Sequence, residues 1–216
     1  MGLTAIFDMD GTILYTLEDI VLGLNYALRA HGYPEKTTEE IRSFVGNGIL
    51  NEVRCSLPEG TDEESMTAVY DTFNKWYALH CMDHTRPYEG ILDLLTDLKA
   101  AGVRLAVVSN KGDYAVQELN QSIFRGLFDV SLGEKHGIQR KPAPDMVYEV
   151  MREMNVSSAV YIGDSEVDAE TAENAGIPCI LVSWGYRDMK VLEKLKCDCI
   201  VRSVEELKAE LLKYSD

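Results

Sequence analysis

No apolar run in the 216 residues approaches the ~18–20 that a bilayer span requires. Basic residues are in short supply: 21 lysines and arginines stand against 36 aspartates and glutamates, a formal charge of −15 with no basic cluster. Such a chain repels the phosphate backbone of nucleic acid and anionic membranes, so neither is expected as a partner. Cysteine is sparse. Cys55, Cys81, Cys179, Cys197 and Cys199 are odd in number and irregular in spacing, which argues against a disulfide framework and fits a reducing compartment. The opening Met1-Gly2-Leu3-Thr4-Ala5-Ile6 has neither the basic start nor the apolar stretch of a secretion signal, and Ile6 stands where myristoylation needs Ser or Thr. A cytoplasmic location is expected. Repeats, low-complexity tracts and flexible linkers are also missing.

What is present is an alternation. Short, β-branched, near-continuously apolar runs at residues 3–8, 103–108, 130–132, 159–162, 179–182 and 199–201 read as strands buried on both faces, as in a parallel sheet covered by helices. Between them lie segments of helical period. Residues 90–101 place Ile91, Leu94, Leu95 and Leu98 on one stripe before Gly102, and residues 204–212 do the same with Val204, Leu207, Leu211 and Leu212. This predicts a doubly wound α/β domain of Rossmann-like topology.

Residues 16–85 break the alternation with helical patterns and no strand. Thr16-Leu17-Glu18-Asp19 reads as the cap of a helix running to about Ala30, stopped by Gly32 and Pro34. Thr37-Thr38-Glu39-Glu40 matches a capping box. Gly46-Asn47-Gly48 breaks the next helix, and a long helix follows from Asp62 to about Cys81. Trp76, Tyr70, Phe73 and Tyr77 recur at helical spacing, as a core of the insert's own would. His80-Cys81-x-x-His84 lacks the four tight ligands of a zinc site.

The chemistry-bearing residues fall at strand ends, where open α/β sheets bind ligands. The first strand delivers Asp8-Met9-Asp10-Gly11-Thr12; two carboxylates beside a glycine suit metal ligation, nucleophilic attack or acid–base work. An EF-hand also contains Asp-x-Asp-Gly, but its later Glu is missing here. The fourth strand delivers Gly163-Asp164-Ser165-Glu166-Val167-Asp168, with Asp164 at the tip, where an N-cap role is the plain alternative, and Asp168 about one helical turn on. Ser109-Asn110-Lys111-Gly112 ends the second strand and offers a hydroxyl and backbone N–H groups to a phosphate at a helix start. Lys141 precedes two prolines. Converging carboxylates at positions 8, 10, 164 and 168 would repel one another without a divalent cation. Hard oxygen ligands favour Mg²⁺, which points to an Mg²⁺-dependent phosphoryl-transfer site.

In these motifs the chain resembles the haloacid dehalogenase-superfamily phosphatases, and more narrowly the bacterial phosphoglycolate phosphatase group. Phe7-Asp8-Met9-Asp10-Gly11-Thr12 is similar to motif I, Val108-Ser109-Asn110 to motif II, Lys141-Pro142 to motif III and Gly163-Asp164-Ser165-x-x-Asp168 to motif IV. The resemblance implies a core of residues 1–15 and 86–216 with a helical C1-type cap of residues 16–85. It implies that Asp8 attacks phosphorus and that Asp10 protonates the leaving alcohol, then activates water. It further implies that Asp8, the Asp10 backbone carbonyl and Asp164 hold Mg²⁺, that Ser109, Asn110 and Lys141 bind the phosphoryl group, and that Asp168 orients Lys141 or metal-bound water.

Gly46, Asn47 and Gly48 sit where relatives carry a substrate-specificity loop, and Arg42 and Arg54 could meet a substrate carboxylate. The implied substrate is a small phosphorylated metabolite, phosphoglycolate first, acted on by a monomer or homodimer. A phosphomutase, a pyrophosphatase and a non-catalytic phosphometabolite-binding protein are the alternatives. Asp10 favours phosphoryl transfer over dehalogenation, because the family's dehalogenases lack that second Asp. One departure stands out: relatives continue motif I as Leu-x-Asp-Ser, whereas this chain has Leu14-Tyr15-Thr16, and Tyr15 is expected to pack at the domain junction.

Overall fold

A computed structural model describes residues 2–214. The chain runs from β1 (Thr4–Phe7) through a two-residue strand β2 (Leu14–Tyr15) into four helices, α1 (Leu17–Ala30), α2 (Thr38–Phe44), α3 (Ile49–Ser56) and α4 (Glu63–His80). It returns through β3 (Arg86–Pro87), which pairs antiparallel with β2. The rest alternates: α5 (Ile91–Ala100), β4 (Arg104–Gly112), α6 (Asp113–Leu119) with a π-helical turn at Asn120–Phe124, β5 (Val130–Glu134) and α7 (Asp145–Glu153). It closes with β6 (Val160–Gly163), α8 (Glu166–Ala175), β7 (Cys179–Val182), α9 (Met189–Leu192), β8 (Cys199–Val201) and α10 (Val204–Lys213).

Six strands form one parallel sheet in the order β5-β4-β1-β6-β7-β8. Successive side chains of a strand point to opposite faces, and the core divides accordingly. Ala5, Phe7, Leu105 and Val107 pack with Leu94, Leu95 and Leu98 of α5 and Leu207 and Leu211 of α10. Ile6, Ala106, Val108 and Tyr161 pack on the other face with Met146, Val147 and Val150 of α7 and Ala169 and Ala172 of α8. Burial on both faces explains why β1, β6 and β7 read as unbroken apolar runs. The order also puts β1 in the middle, between β4 and β6, so the loops that leave these three strands emerge side by side.

Helices α1–α4 enclose a separate apolar cluster built on Leu17, Leu24, Leu28, Ile41, Val53, Val69, Phe73 and Tyr77. The Thr37 capping box forms as read, with the hydroxyl accepting from the Glu40 N–H and the Glu40 carboxylate accepting from the Thr37 N–H. Asp62 caps α4. Asp19 of α1, fully buried, accepts from the N–H groups of His84 and Thr85 and from the Thr85 hydroxyl. It thereby ties the start of the helical segment to its exit. Tyr15 lies edge-on to Tyr88 and Tyr186, with the Arg86 guanidinium 4.5 Å from its ring centre.

Two local expectations need correction. Thr16 makes no side-chain cap on α1; its hydroxyl and N–H instead meet the Tyr186 phenol at 2.9 and 2.8 Å. The second strand is longer than read: β4 runs on through a register shift to Gly112, which is the N-cap of α6, so Ser109 and Asn110 lie on the strand just ahead of that helix. Among the described residues no helix is long and apolar enough to cross a membrane.

Candidate active site

The carboxyl ends of β1, β4 and β6 bring together side chains that are far apart in sequence. Asp8 leaves β1 with its N–H on the Ile162 carbonyl at 2.8 Å, which fixes it beside β6. Lys141 is 2% exposed at its side chain, and its Nζ lies 2.8 Å from Asp8 Oδ1 and 2.7 Å from Asp168 Oδ1. Its backbone is clamped by Asn110: the Lys141 N–H donates to Asn110 Oδ1 at 2.8 Å, and Asn110 Nδ2 donates to the carbonyls of Lys141 and Gly46 at 3.0 and 3.1 Å.

Asp168, at the first turn of α8, is fully committed. Its Oδ1 accepts from Lys141 and Tyr161, and its Oδ2 accepts from the Asp164 N–H, the Ser165 N–H and the Ser165 hydroxyl. Asp164 is not the N-cap of α8; Ser165 is. The Asp164 Oδ2 accepts from the Tyr186 N–H at 2.6 Å, and its Oδ1 faces the Thr12 hydroxyl. Glycine is required at two neighbouring positions. A Cβ on Gly11, whose φ is +83°, would lie 2.4 Å from Asp164 Oδ2, and one on Gly185 would lie 2.3 Å from Asp164 Cβ.

Oxygens of Asp8, Asp164 and Asp168 all lie within 4.8 Å of one another, and all three residues are buried. Burial, with repulsion from Asp168 and Asp10, pushes Asp8 up to about 7 against the pull of Lys141. Burial, then Asp168 and Asp8, raises Asp164 well above the carboxylate range. For Lys141 burial disfavours the charge, but Asp168 and Asp8 outweigh it and keep the ammonium protonated. Three acids and one lysine leave negative charge uncompensated, and the donors are hard oxygens. The residues therefore fit a hard divalent cation. Because the Asp168 oxygens already accept five hydrogen bonds between them, Asp8 and Asp164, which accept fewer, are the carboxylates with lone pairs left to ligate.

Asp10 points elsewhere. Both its oxygens accept from Lys111 Nζ, at 2.9 and 3.1 Å, and that ammonium also lies 4.7 Å from the centre of the Tyr77 ring. These groups, with Asp8, Ser109, Asn110, Gly46 and Gly48, line a cleft between β4 and helices α3 and α4. Its free volume, about 30 Å³, is enough for one or two waters. Asn47 is not part of the lining; the backbones of its flanking glycines, at φ +112° and +81°, face the cleft instead. Arg42 and Arg54 are not there either. Arg42 pairs with Glu39 and Asp188, and Arg54 borders a separate hollow with Cys55 and Pro58.

Three groups escaped the sequence reading. Lys111 stands two residues past Ser109, but the β4 register shifts between Val108 and Gly112, so strand alternation did not indicate which way it faces. The loop at residues 184–187 carried no signal either: Trp184 Nε1 donates to the Thr12 carbonyl, the Tyr186 N–H holds Asp164, and Arg187 binds Glu166 and the Val45 carbonyl. Glu52 looked like one more acid on a helix, yet it is buried, accepting from the Gly46 N–H at 3.3 Å.

Burial, with repulsion from Asp10, raises Glu52 from 4.5 to about 7, against the pull of Lys111 and Arg187. A carboxyl with a raised folded pKa stabilises below its unfolded pKa and loses that contribution as pH climbs through the folded value. Glu52→Gln should therefore unfold with the wild type near pH 4.5 and outlast it above pH 7, by roughly 3 kcal/mol at about 1.4 kcal/mol per pH unit. Denaturant melts from pH 4.5 to 8.5 check this; parallel curves would place the charge elsewhere.

The haloacid dehalogenase-like hydrolase family matches residues 5–182 of the chain. A phosphoglycolate phosphatase of Rhodobacter capsulatus is 36% identical over 191 residues, 87% of each chain. One from Caulobacter vibrioides is 33% identical over 208 residues, covering 94% of this chain and 87% of the relative. A crystal structure from Lactobacillus delbrueckii subsp. bulgaricus, 40% identical, superposes with a TM-score of 0.91 over 98% of this chain and 99% of that one.

Proposed function

From its place among the haloacid dehalogenase-like hydrolases, the family to which this chain belongs, we infer a phosphatase that hydrolyses a small phosphorylated metabolite. Phosphoglycolate is the first candidate, by similarity to the phosphoglycolate phosphatases above. One observation carries this: Asp8, Asp164 and Asp168 converge in a buried pocket with Lys141 bonded to two of them.

Asp8 attacks phosphorus and becomes an aspartyl phosphate as the ester oxygen departs. Asp10 gives that oxygen a proton, then takes one from the water that cleaves the acyl phosphate. Ser109 Oγ and the Asn110 N–H hold phosphoryl oxygens, and Lys141 balances the charge on Asp8 and on the phosphoryl group. Asp168 keeps the Lys141 ammonium in line through its 2.7 Å contact. Asp8, Asp164 and the Asp10 backbone carbonyl would hold Mg²⁺, which supplies charge neutralisation between nucleophile and phosphoryl group when bound.

Residues 16–85 act as a cap on a core of residues 1–15 and 86–216. With only about 30 Å³ free in the cleft, substrate enters when the cap helices lift, and their return excludes water and bulky leaving groups. The Gly46-Asn47-Gly48 loop reaches the core through the Asn110–Gly46 bond. A cytoplasmic setting belongs to the same reading, in keeping with five free cysteines.

A panel of phosphomonoesters, assayed with Mg²⁺ and with EDTA, tests the assignment. Turnover should need the metal and favour two- or three-carbon esters; metal-independent turnover would overturn it. The raised Asp8 and Asp164 carboxyls must lose protons to ligate. Mg²⁺ should therefore raise the melting temperature little at pH 5 and increasingly through pH 7 to 8. The metal-free protein should lose stability over the same interval, because these groups stabilise below their unfolded pKa and cease to as pH passes their folded values.

A further inference from the structure

Among the described residues that line the cleft, Lys111 is the sole cation. Its side chain is 6% exposed. The other lysine of the site, Lys141, is committed to Asp8 and Asp168. The Arg187 guanidinium is committed to Glu166 and to the carbonyls of Arg42 and Val45. Lys111 has one acidic partner within bonding distance, Asp10, and that partner is needed elsewhere. Both Asp10 oxygens are occupied by Nζ, so the residue that must serve the leaving oxygen is held away from it.

We propose that Lys111 is the receptor for a carboxylate on the leaving group, and that this carboxylate replaces Asp10 on Nζ and frees Asp10 to turn to the scissile ester oxygen. The inference rests on the phosphatase reading above and names the residue that selects for the leaving group's carboxylate. The exchange substitutes one carboxylate for another against the same ammonium, so Lys111 never stands buried and unpaired, a state that is costly. The Tyr77 ring lies against Nζ, 4.7 Å from its centre. Ile20, Ile49 and Phe73 supply apolar walls that suit a short carbon chain. Glu52 shares the cleft, and burial that raises it to about 7 leaves its charge only partly developed at neutral pH. A neutral leaving group brings nothing to displace Asp10, so discrimination falls on kcat as well as on KM.

The test compares kcat/KM for 2-phosphoglycolate and 2-hydroxyethyl phosphate, esters that differ in the terminal carboxylate, using the full chain with Mg²⁺. The wild type should prefer the carboxylate ester by about 100-fold, the loss expected when one member of a buried charge pair has no partner. Lys111→Met should cut that preference by about 30-fold or more, whereas Lys111→Arg should keep most of it. If Lys111 only positions Asp10, Lys111→Met slows both esters alike and the ratio stays put, which overturns the proposal. Should the Met variant fail to fold, competitive inhibition of the wild type decides: glycolate should compete well and ethylene glycol poorly, and equal inhibition overturns it. A wild type that cleaves both esters equally refutes the carboxylate receptor and the phosphoglycolate assignment while phosphatase chemistry stands. No turnover of either ester, or of an aryl phosphate, removes the phosphatase reading itself.

Discussion

Asp8→Asn should lower phosphate release by about 10⁴-fold or more on every substrate while the protein stays folded. The amide keeps the shape of the carboxyl but has no oxygen nucleophile to form an acyl phosphate. Its oxygen can still accept from Lys141 Nζ, which retains Asp168 at 2.7 Å, so the lysine is not stranded without a partner. Removing the charge also removes a group that burial had raised to about 7; the metal-free variant should be at least as stable as the wild type near pH 8. Two measurements check the claim. Phosphate release gives the rate, and trapping with hydroxylamine should capture an acyl phosphate in the wild type alone. Activity in the variant above about 1% of wild type would mean that water, not Asp8, attacks phosphorus.

The parts of this molecule written locally were legible in its sequence. β1, β6 and β7 are buried on both faces, and a strand so placed must be apolar throughout, whatever lies beyond it. The Thr37 capping box and the Asp62 cap are complete within four residues, so composition alone reveals them. Asp8, Asp164, Asp168 and Lys141 could be picked out because each sits at or beyond a strand end, and the sheet order then gathers what the strands deliver. What escaped was written across long separations. Thr16 reads as a helix cap, but its hydroxyl is claimed by Tyr186, 170 positions away, and a contact of that range leaves no trace in neighbouring residues. Glu52 carries the composition of a solvated helix face, yet it is buried in the cleft, where it accepts from the Gly46 N–H and shares the lining with Asp10 and Lys111. The strands β2 and β3 have two residues each, too few for any period.

Asp164 also depends on residues that carry no functional group, and Gly185→Ala should reveal it. The glycine sits in the loop after β7, and the neighbours on either side are anchored: the Trp184 indole on the Thr12 carbonyl at 3.1 Å, the Tyr186 N–H on Asp164 Oδ2 at 2.6 Å. A methyl group there would stand 2.3 Å from Asp164 Cβ and from Oδ2, far inside van der Waals contact, so one of them must move. The loop cannot retreat without breaking both anchors and the Tyr186 phenol contact to Thr16. Asp164 has little room to move either, because Gly11 also approaches its carboxylate closely. The expected outcome is overpacking worth about 1–3 kcal/mol in stability and a displaced Asp164 carboxylate. Since a shift of about 1 Å at a reacting centre costs roughly 100-fold, kcat/KM should fall by that much or more. The increase in melting temperature on adding Mg²⁺ should shrink with it. The two readouts separate the causes: a variant that melts early yet keeps its full response to Mg²⁺ would mean that the loop supports the fold but does not hold Asp164 for the metal.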